Sequence, residues 1–258
     1  MTGRRRNSIF QDIEKTDMEQ HTADKVPTAV YGAGRIKLCQ GDFLNAVREV
    51  ESESVDMVFT DPPFELTSGG MKSGKLVYPG NEVFRNCGFC TKNISFDTWI
   101  PEVYRVMKNE RYFYVMSNDR NIFSIHKFCI DSGFRFCELL VMDKKMTVPS
   151  TYYPKRAEFI LMYRKGKCRK SHFLGSTVME ARLPRGKEKR HPTEKPVSMI
   201  EHLIRCSTLE NELCLDPFMG SCPAGEACIR TGRRFIGVEI EQKWFAAAQD
   251  RITALLHE

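Results

Sequence analysis

From Arg35 onward, short runs of aliphatic, aromatic and β-branched residues alternate with stretches whose apolar positions recur every three or four residues. Arg35–Cys39 and Val55–Thr60 read as strands on either side of a helix near Phe43–Glu49. Trp99–Met107 reads as a helix leading into a buried strand at Tyr112–Ser117. Across Asn121–Ser132, Ile122, Ile125, Phe128 and Cys129 fall at helical spacing, and Gly133 is a natural terminator. Strands follow at Cys137–Met142 and Glu158–Tyr163. Beyond a basic, turn-rich stretch come a helix at Val197–Ser207, a strand at Leu213–Asp216, a helix at Ala224–Thr231, a strand at Arg234–Val238 and a closing helix at Gln242–Leu256. This alternation predicts an α/β domain with a mainly parallel sheet covered on both faces. In such sheets ligands bind beyond the carboxyl ends of the strands, so functional residues are expected just after strands. Residues 1–30 are polar, mixed in charge and without period, and are expected to form a flexible tail before a single domain over 31–258.

Composition narrows this little. The 258 residues suffice for one sizeable core. A formal charge of +6 is compatible with a polyanionic partner without selecting one. No apolar run approaches the roughly 18–20 residues that span a bilayer, and Arg4, Arg5 and Arg6 are not followed by a signal-like apolar stretch. With no secretory signal, the ten cysteines read as reduced thiols of a cytoplasmic protein. Cys87-x-x-Cys90 could be half of a zinc site; lacking a second close pair, it reads better as two ordinary thiols, and no metal is expected.

Three segments carry candidate chemistry. Val55–Thr60 ends in Asp61-Pro62-Pro63-Phe64, where two prolines stop the strand and hold a carboxylate and a peptide carbonyl at the sheet edge. The exocyclic amine of a nucleobase is a poor nucleophile because its lone pair is conjugated into the ring. Accepting its two N–H hydrogens on the Asp61 carboxylate and the Pro62 carbonyl would favour a pyramidal nitrogen, and Phe64 could stack on the base. The alternative is a strand-ending turn with a capping aspartate. Leu215-Asp216-Pro217-Phe218-Met219-Gly220-Ser221-Cys222-Pro223 lies between a strand and a helix, and the next strand ends in Glu239, an acid placed to bind ribose hydroxyls. His191-Pro192-Thr193-Glu194-Lys195-Pro196 leads into a helix; alone it reads as a capped helix start with a solvated lysine.

In this order the three motifs resemble the β-class DNA amino-methyltransferases of restriction-modification systems and prophages, in which DPPY/F precedes the cofactor motif and an HPTEKP-like segment lies between. The likeness runs from about Arg35 to Arg251 and takes in Gly41-Asp42, Trp99–Arg105 and Asp143–Gly166, with its Glu158-Phe159-Ile160. It implies a Rossmann-like methyltransferase fold: a mainly parallel seven-stranded sheet, one antiparallel strand and circularly permuted motif order. It implies S-adenosylmethionine (SAM) as cofactor. Asp61, Pro62, Pro63 and Phe64 would then be catalytic. Asp216, Phe218, Gly220 and Ser221 would line the cofactor, Glu239 would hold its ribose, Thr193 and Lys195 its carboxylate, and Asp42 its adenine end. The chain departs from the pattern where Cys222 replaces a glycine and Pro223 and Ala224 replace hydroxyl residues. A Cβ at 222 would crowd the cofactor.

Double-stranded DNA is the implied substrate, with contacts expected from insertions near 65–95 and 165–190. The second carries nine cations in 26 residues: Lys165, Lys167, Arg169, Lys170, Arg182, Arg185, Lys187, Lys189 and Arg190. The resemblance further implies a bacterial or phage-encoded cytoplasmic enzyme, monomeric or homodimeric, with a cognate restriction endonuclease left open. Asp at the head of the catalytic motif favours adenine N6, because cytosine-amine enzymes often carry Ser there. The rivals are a cytosine-N4 enzyme, an RNA or protein-amide methyltransferase, and a DNA-binding relative that has lost catalysis.

Overall fold

The computed structural model describes residues 26–63, 71–72, 75–76, 94–150, 152–167, 175–181 and 194–257. Its strands are β1 (Thr28–Tyr31), β2 (Ile36–Gln40), β3 (Val55–Thr60), β4 (Met71–Lys72), β5 (Lys75–Leu76), β6 (Met107–Ser117), β7 (Arg135–Val148), β8 (Lys155–Lys165), β9 (Val178–Glu180), β10 (Leu213–Asp216) and β11 (Arg234–Glu239). The helices are α1 (Phe43–Ala46), α2 (Phe96–Val106), α3 (Ile122–Asp131), α4 (Val197–Ser207), α5 (Pro223–Thr231) and α6 (Gln242–Leu256).

Nine strands form one sheet in the order β1-β2-β11-β10-β3-β6-β8-β7-β9, and β4 pairs with β5 separately. The seven central strands, β2 to β7 in that order, match the expected sheet, with β8 antiparallel to both its neighbours. The expected count of seven is corrected by two short edge strands. β9 runs parallel to β7, and β1 turns back antiparallel onto β2. β1 begins at Thr28, within the last residues of the segment expected as tail. Edge strands this short carry too few alternating positions to stand out in a sequence.

Each sheet face has its own core. On one, α1, α2 and α3 pack with Phe43, Trp99, Ile100, Val103 and Ile125 against Val55, Val58, Phe113 and Val115. On the other, α4, α5 and α6 pack with Ile200, Leu203, Ala227, Phe245 and Ile252 against Met57, Phe59, Tyr114 and Phe235. β3 is therefore buried on both faces, which is why it reads as a continuous apolar run rather than an alternating one.

One charge breaks that run. The Asp56 side chain is 1% exposed and accepts from Lys108 Nζ at 2.8 Å, Arg111 Nε at 3.1 Å and the Leu213 amide at 2.9 Å. Burial pushes its carboxyl up, but the Leu213 amide and the two cations outweigh burial and the net shift is downward. A carboxyl depressed on folding stabilises the native state above its unfolded pKa, and that contribution is lost as pH falls through the folded value. Asp56→Asn is accordingly expected to lower stability by about 1–2 kcal/mol at pH 7.5, through the loss of charge-assisted bonds to the part-exposed Lys108 and Arg111, the latter keeping Glu212. The deficit should shrink towards pH 3, as read by urea unfolding at both values.

Candidate active site

The sheet changes winding direction between β10 and β3: β10 leads through α5 to β11 on one side, and β3 leads towards β6 on the other. At such a switch point the flanking loops diverge and leave a crevice at the carboxyl edge. Cys214 and Leu215 lie beside Met57 and Val58 in parallel register, so the two motifs that follow these strands emerge side by side. The Thr60 hydroxyl donates to Asp216 Oδ1 at 2.9 Å, joining positions 156 residues apart. Asp61 follows at once, half-buried, with Pro62 and Pro63 ending the strand. Phe64 lies outside the described residues, as does Thr193.

Asp216 is 4% exposed and also accepts from the Phe218 amide at 3.1 Å. Burial pushes its carboxyl up to about 7; the Phe218 amide and Thr60 oppose this, while the charges of Asp61 and Glu239 add to it. Glu239 closes β11 and accepts from the Gly220 amide at 3.0 Å and the Glu241 amide at 2.7 Å. Burial raises this carboxyl too, against the pull of those amides. Gly220 has φ +53°, a left-handed conformation that lets the turn bend its amide back onto Glu239. Phe218 packs edge-on to Trp99, ring centroids 5.2 Å apart, and stands 6.1 Å from Phe43. Asp42 caps α1, accepting from the Leu44 amide at 2.8 Å, and the adjoining Gly41 amide donates to the Glu239 carbonyl at 2.9 Å. Asp42, Asp61, Asp216, Phe218, Gly220 and Glu239 thus share the carboxyl edge of the sheet.

Two expected site residues are engaged differently. Lys195, 8% exposed, donates to Asp61 Oδ2 at 2.8 Å and Glu158 Oε2 at 3.0 Å, so its ammonium is held between two carboxylates. Burial works against its charge, but Asp61 and Glu158 outweigh burial and shift it upward. Ser221, 1% exposed, faces Glu194 Oε2 at 3.4 Å and Arg251 Nη2 at 3.5 Å, below the turn. Arg251 also pairs with Glu194 and, at 2.8 Å, with Glu226. Glu194 and Lys195, adjacent in sequence, therefore serve opposite sides: one anchors the glycine turn from beneath, the other sits on Asp61.

Cys222 adopts φ +64°, ψ +45°, the left-handed conformation that favours the glycine expected there. The thiol is fully buried, lying where a Cβ on Gly225 would meet it at 2.3 Å, and burial raises its pKa. Its sulfur packs against Gly225, where no side chain larger than hydrogen fits.

Among the expected DNA contacts, Lys165 is 5% exposed and donates to the Tyr104 and Met107 carbonyls at 2.9 and 2.7 Å. It ties α2 to β8 and is not presented to a phosphate. Lys167 is exposed, whereas Arg169, Lys170 and the cations from Arg182 to Arg190 lie outside the described residues, as do Cys87 and Cys90. Among the described residues no helix is long and apolar enough to cross a membrane.

Sequence reasoning gave no individual role to Glu158, Thr60 or Arg251. Glu158 was visible only within a family-like stretch; its signal is an isolated acid opening the apolar run Phe159–Tyr163. Arg251 lies one helical turn beyond Ala248 and beside Ile252, both buried, so an arginine on the apolar stripe of α6 marks a buried pair.

A family profile described as DNA methylase, for N6 and N4 methyltransferases, matches residues 55–250, three quarters of the chain. The chain belongs to this family of DNA amino-methyltransferases. The methylase is 29% identical over 237 residues to the Type II methyltransferase M2.LlaDCHI of Lactococcus lactis subsp. cremoris, covering 83% of this chain and 88% of that one. It resembles the crystal structure of an M1.HpyAVI–SAM complex with TM-score 0.64 and 24% identity, over 84% of this chain and 98% of that one. It also resembles PvuII DNA methyltransferase, described as cytosine-N4-specific, with TM-score 0.65 and 18% identity, over 86% and 92% of the two chains. Those two structural likenesses establish the methylase fold and leave the target base to the site itself.

Proposed function

We propose that the methylase transfers a methyl group from SAM to the N6 amine of an adenine turned out of double-stranded DNA. The observation that carries this is the Asp61 carboxylate at the carboxyl end of β3, beside the Asp216–Gly220–Glu239 turn on the neighbouring strands.

The residues present suit SAM. Asp61, Asp216 and Glu239 bring three carboxylates to one crevice, with the ammonium of Lys195 among them. Such an excess of buried negative charge favours a sulfonium. Glu239 would accept from the ribose hydroxyls, while Asp216, Phe218 and Gly220 would line the rest of the ligand and Asp42 its adenine end. Bound there, SAM supplies an electrophilic methyl group. Asp61 and the Pro62 carbonyl accept the two amine hydrogens and orient the nitrogen lone pair. Once the methyl group has left the SAM sulfur for that nitrogen, Asp61 would be placed to take the surplus amine proton. Phe64 would stack on the extruded base.

Asp at position 61 favours adenine over cytosine, and the chain order favours DNA over the RNA or protein-amide alternative. The packing of the Cys222 thiol against Gly225 favours an active enzyme over an inactive relative. A cognate endonuclease and a monomeric or dimeric state remain part of this proposal by resemblance alone. Sequencing that resolves modified bases, on DNA from a host expressing the methylase, tests it. N6-methyladenine at one recurrent sequence is expected; N4-methylcytosine would move the assignment to the other amine, and no modification would remove it.

Asp216 adds a pH dependence. A carboxyl raised to about 7 on folding is largely protonated at pH 6 in the free protein. A cation bound beside it favours the ionised form, so SAM binding at pH 6 should release a proton and tighten as pH rises towards 8. Calorimetry in buffers of different ionisation enthalpy should show that release in the native chain. Asp216→Asn should abolish it.

A further inference from the structure

Asp61 faces charged groups from several elements: Lys195 ahead of α4, Glu158 on β8 and Asp216 on β10, which in turn feels Glu239 on β11. Lys144 on β7 lies 3.4 Å from the other oxygen of Glu158. The Lys195 ammonium is bound at once to Asp61 and to Glu158. On Asp61 it occupies an acceptor that methylation requires, presenting an N–H where the target amine must present its own. The resting site is thus filled by a charged stand-in for its substrate. A nearly buried ammonium cannot move into solvent cheaply, so it needs a second anion when the amine arrives.

We infer that Glu158 is a positioning residue for the methylation reaction: it is the carboxylate that keeps Lys195 when an incoming amine displaces the lysine from Asp61. Glu158 lies in β8, antiparallel between β6 and β7, and is paired with Met142 in the β7 register, so its backbone is fixed while the lysine side chain can pivot. Lys195 is long and flexible enough to exchange one hydrogen bond without the chain moving. The exchange leaves Asp61 unpaired, making it a better acceptor for the amine and for the proton lost on methylation. Glu158 touches neither base nor cofactor in this account; it acts through Lys195. The inference rests on the proposed amine methylation.

The test uses the full chain, SAM and DNA from a host without methylation, in four forms: native, Glu158→Gln, Lys195→Met and the double variant. Native activity tests the underlying reading by itself; if the native chain modifies no DNA, that reading fails first. Given native activity, Glu158→Gln should lower kcat by about tenfold with SAM affinity unchanged, because Lys195 then stays on Asp61. With Lys195 already replaced, adding Glu158→Gln should change the rate by less than about twofold. Glu158→Asp should recover part of the loss. Removing the Glu158 charge also strengthens the hold of Lys195 on Asp61, so the acid limb of kcat/KM should move to lower pH in Glu158→Gln. That limb decides the matter even if Lys195→Met is inactive. Equal losses in both backgrounds, native-like rates for Glu158→Gln, or an unmoved acid limb would each overturn the role of Glu158 and leave the methylase assignment standing.

Discussion

Asp61→Ala is expected to lower methyl transfer to DNA by about 10³-fold, the range for removing a positioned proton acceptor, while the protein stays folded. Alanine keeps the two prolines and so the strand end and the Pro62 carbonyl, but it deletes the acceptor facing the amine. Lys195 keeps Glu158 as a partner at 3.0 Å, so no buried cation is stranded and the melting temperature should stay within about 4 °C of native. Asp61→Asn should be nearly as inactive: one of its two oxygens becomes an NH2 that can only donate, with Lys195 already a donor beside it. Tritium transfer from labelled SAM measures the rate, and calorimetry of SAM binding checks that the cofactor half of the crevice survives. Variants retaining more than about a tenth of native turnover would remove Asp61 from the chemistry.

Arg251→Met is expected to produce the largest loss of stability, about 3–5 kcal/mol, as for a buried pair deprived of one partner. Arg251 is 2% exposed and binds Glu194 on one side and Glu226 on the other. Glu226 keeps Arg230 at 2.7 Å, but the buried Glu194 loses its bond to Arg251. In a domain of this size the melting temperature should fall by roughly 10 °C. The site should suffer as well, because Arg251 reaches both Ser221 in the glycine turn and Glu194, the neighbour of Lys195. Weaker SAM binding should therefore accompany the lower melting temperature, and Arg251→Lys should fall between the two. A melting temperature within about 2 °C of native would mean that the pair carries little stability and that the turn is held by packing alone.

Both expectations concern residues whose meaning depends on partners far away in the chain. The place of Asp61 at the end of β3 was legible because two prolines after an apolar run must stop the strand there. The helices at Val197–Ser207 and Gln242–Leu256 and the strands at Val55–Thr60 and Leu213–Asp216 were legible to the residue. They are long or strongly apolar, and a proline marks one flank of each except Gln242–Leu256. Longer pairing was not legible. β6 begins at Met107, five residues before the expected Tyr112, and β7 runs on to Val148, because their polar ends are held by hydrogen bonds to neighbouring strands.

The amino-acid order by itself determined the α/β class, the two strand-end motifs and their placement at one edge of a parallel sheet. These follow from periodicity, backbone-restricting residues and the geometry that parallel sheets impose. Only the tertiary structure decided where the long charged side chains point. Lys195 reaches Asp61 and Glu158, Lys165 is spent inside the fold, and the Cys222 thiol packs against Gly225. A lysine can swing several ångströms from its Cα, and its partner is chosen by which buried acids lie in reach, so ion pairing is a property of the folded neighbourhood rather than of spacing along the chain.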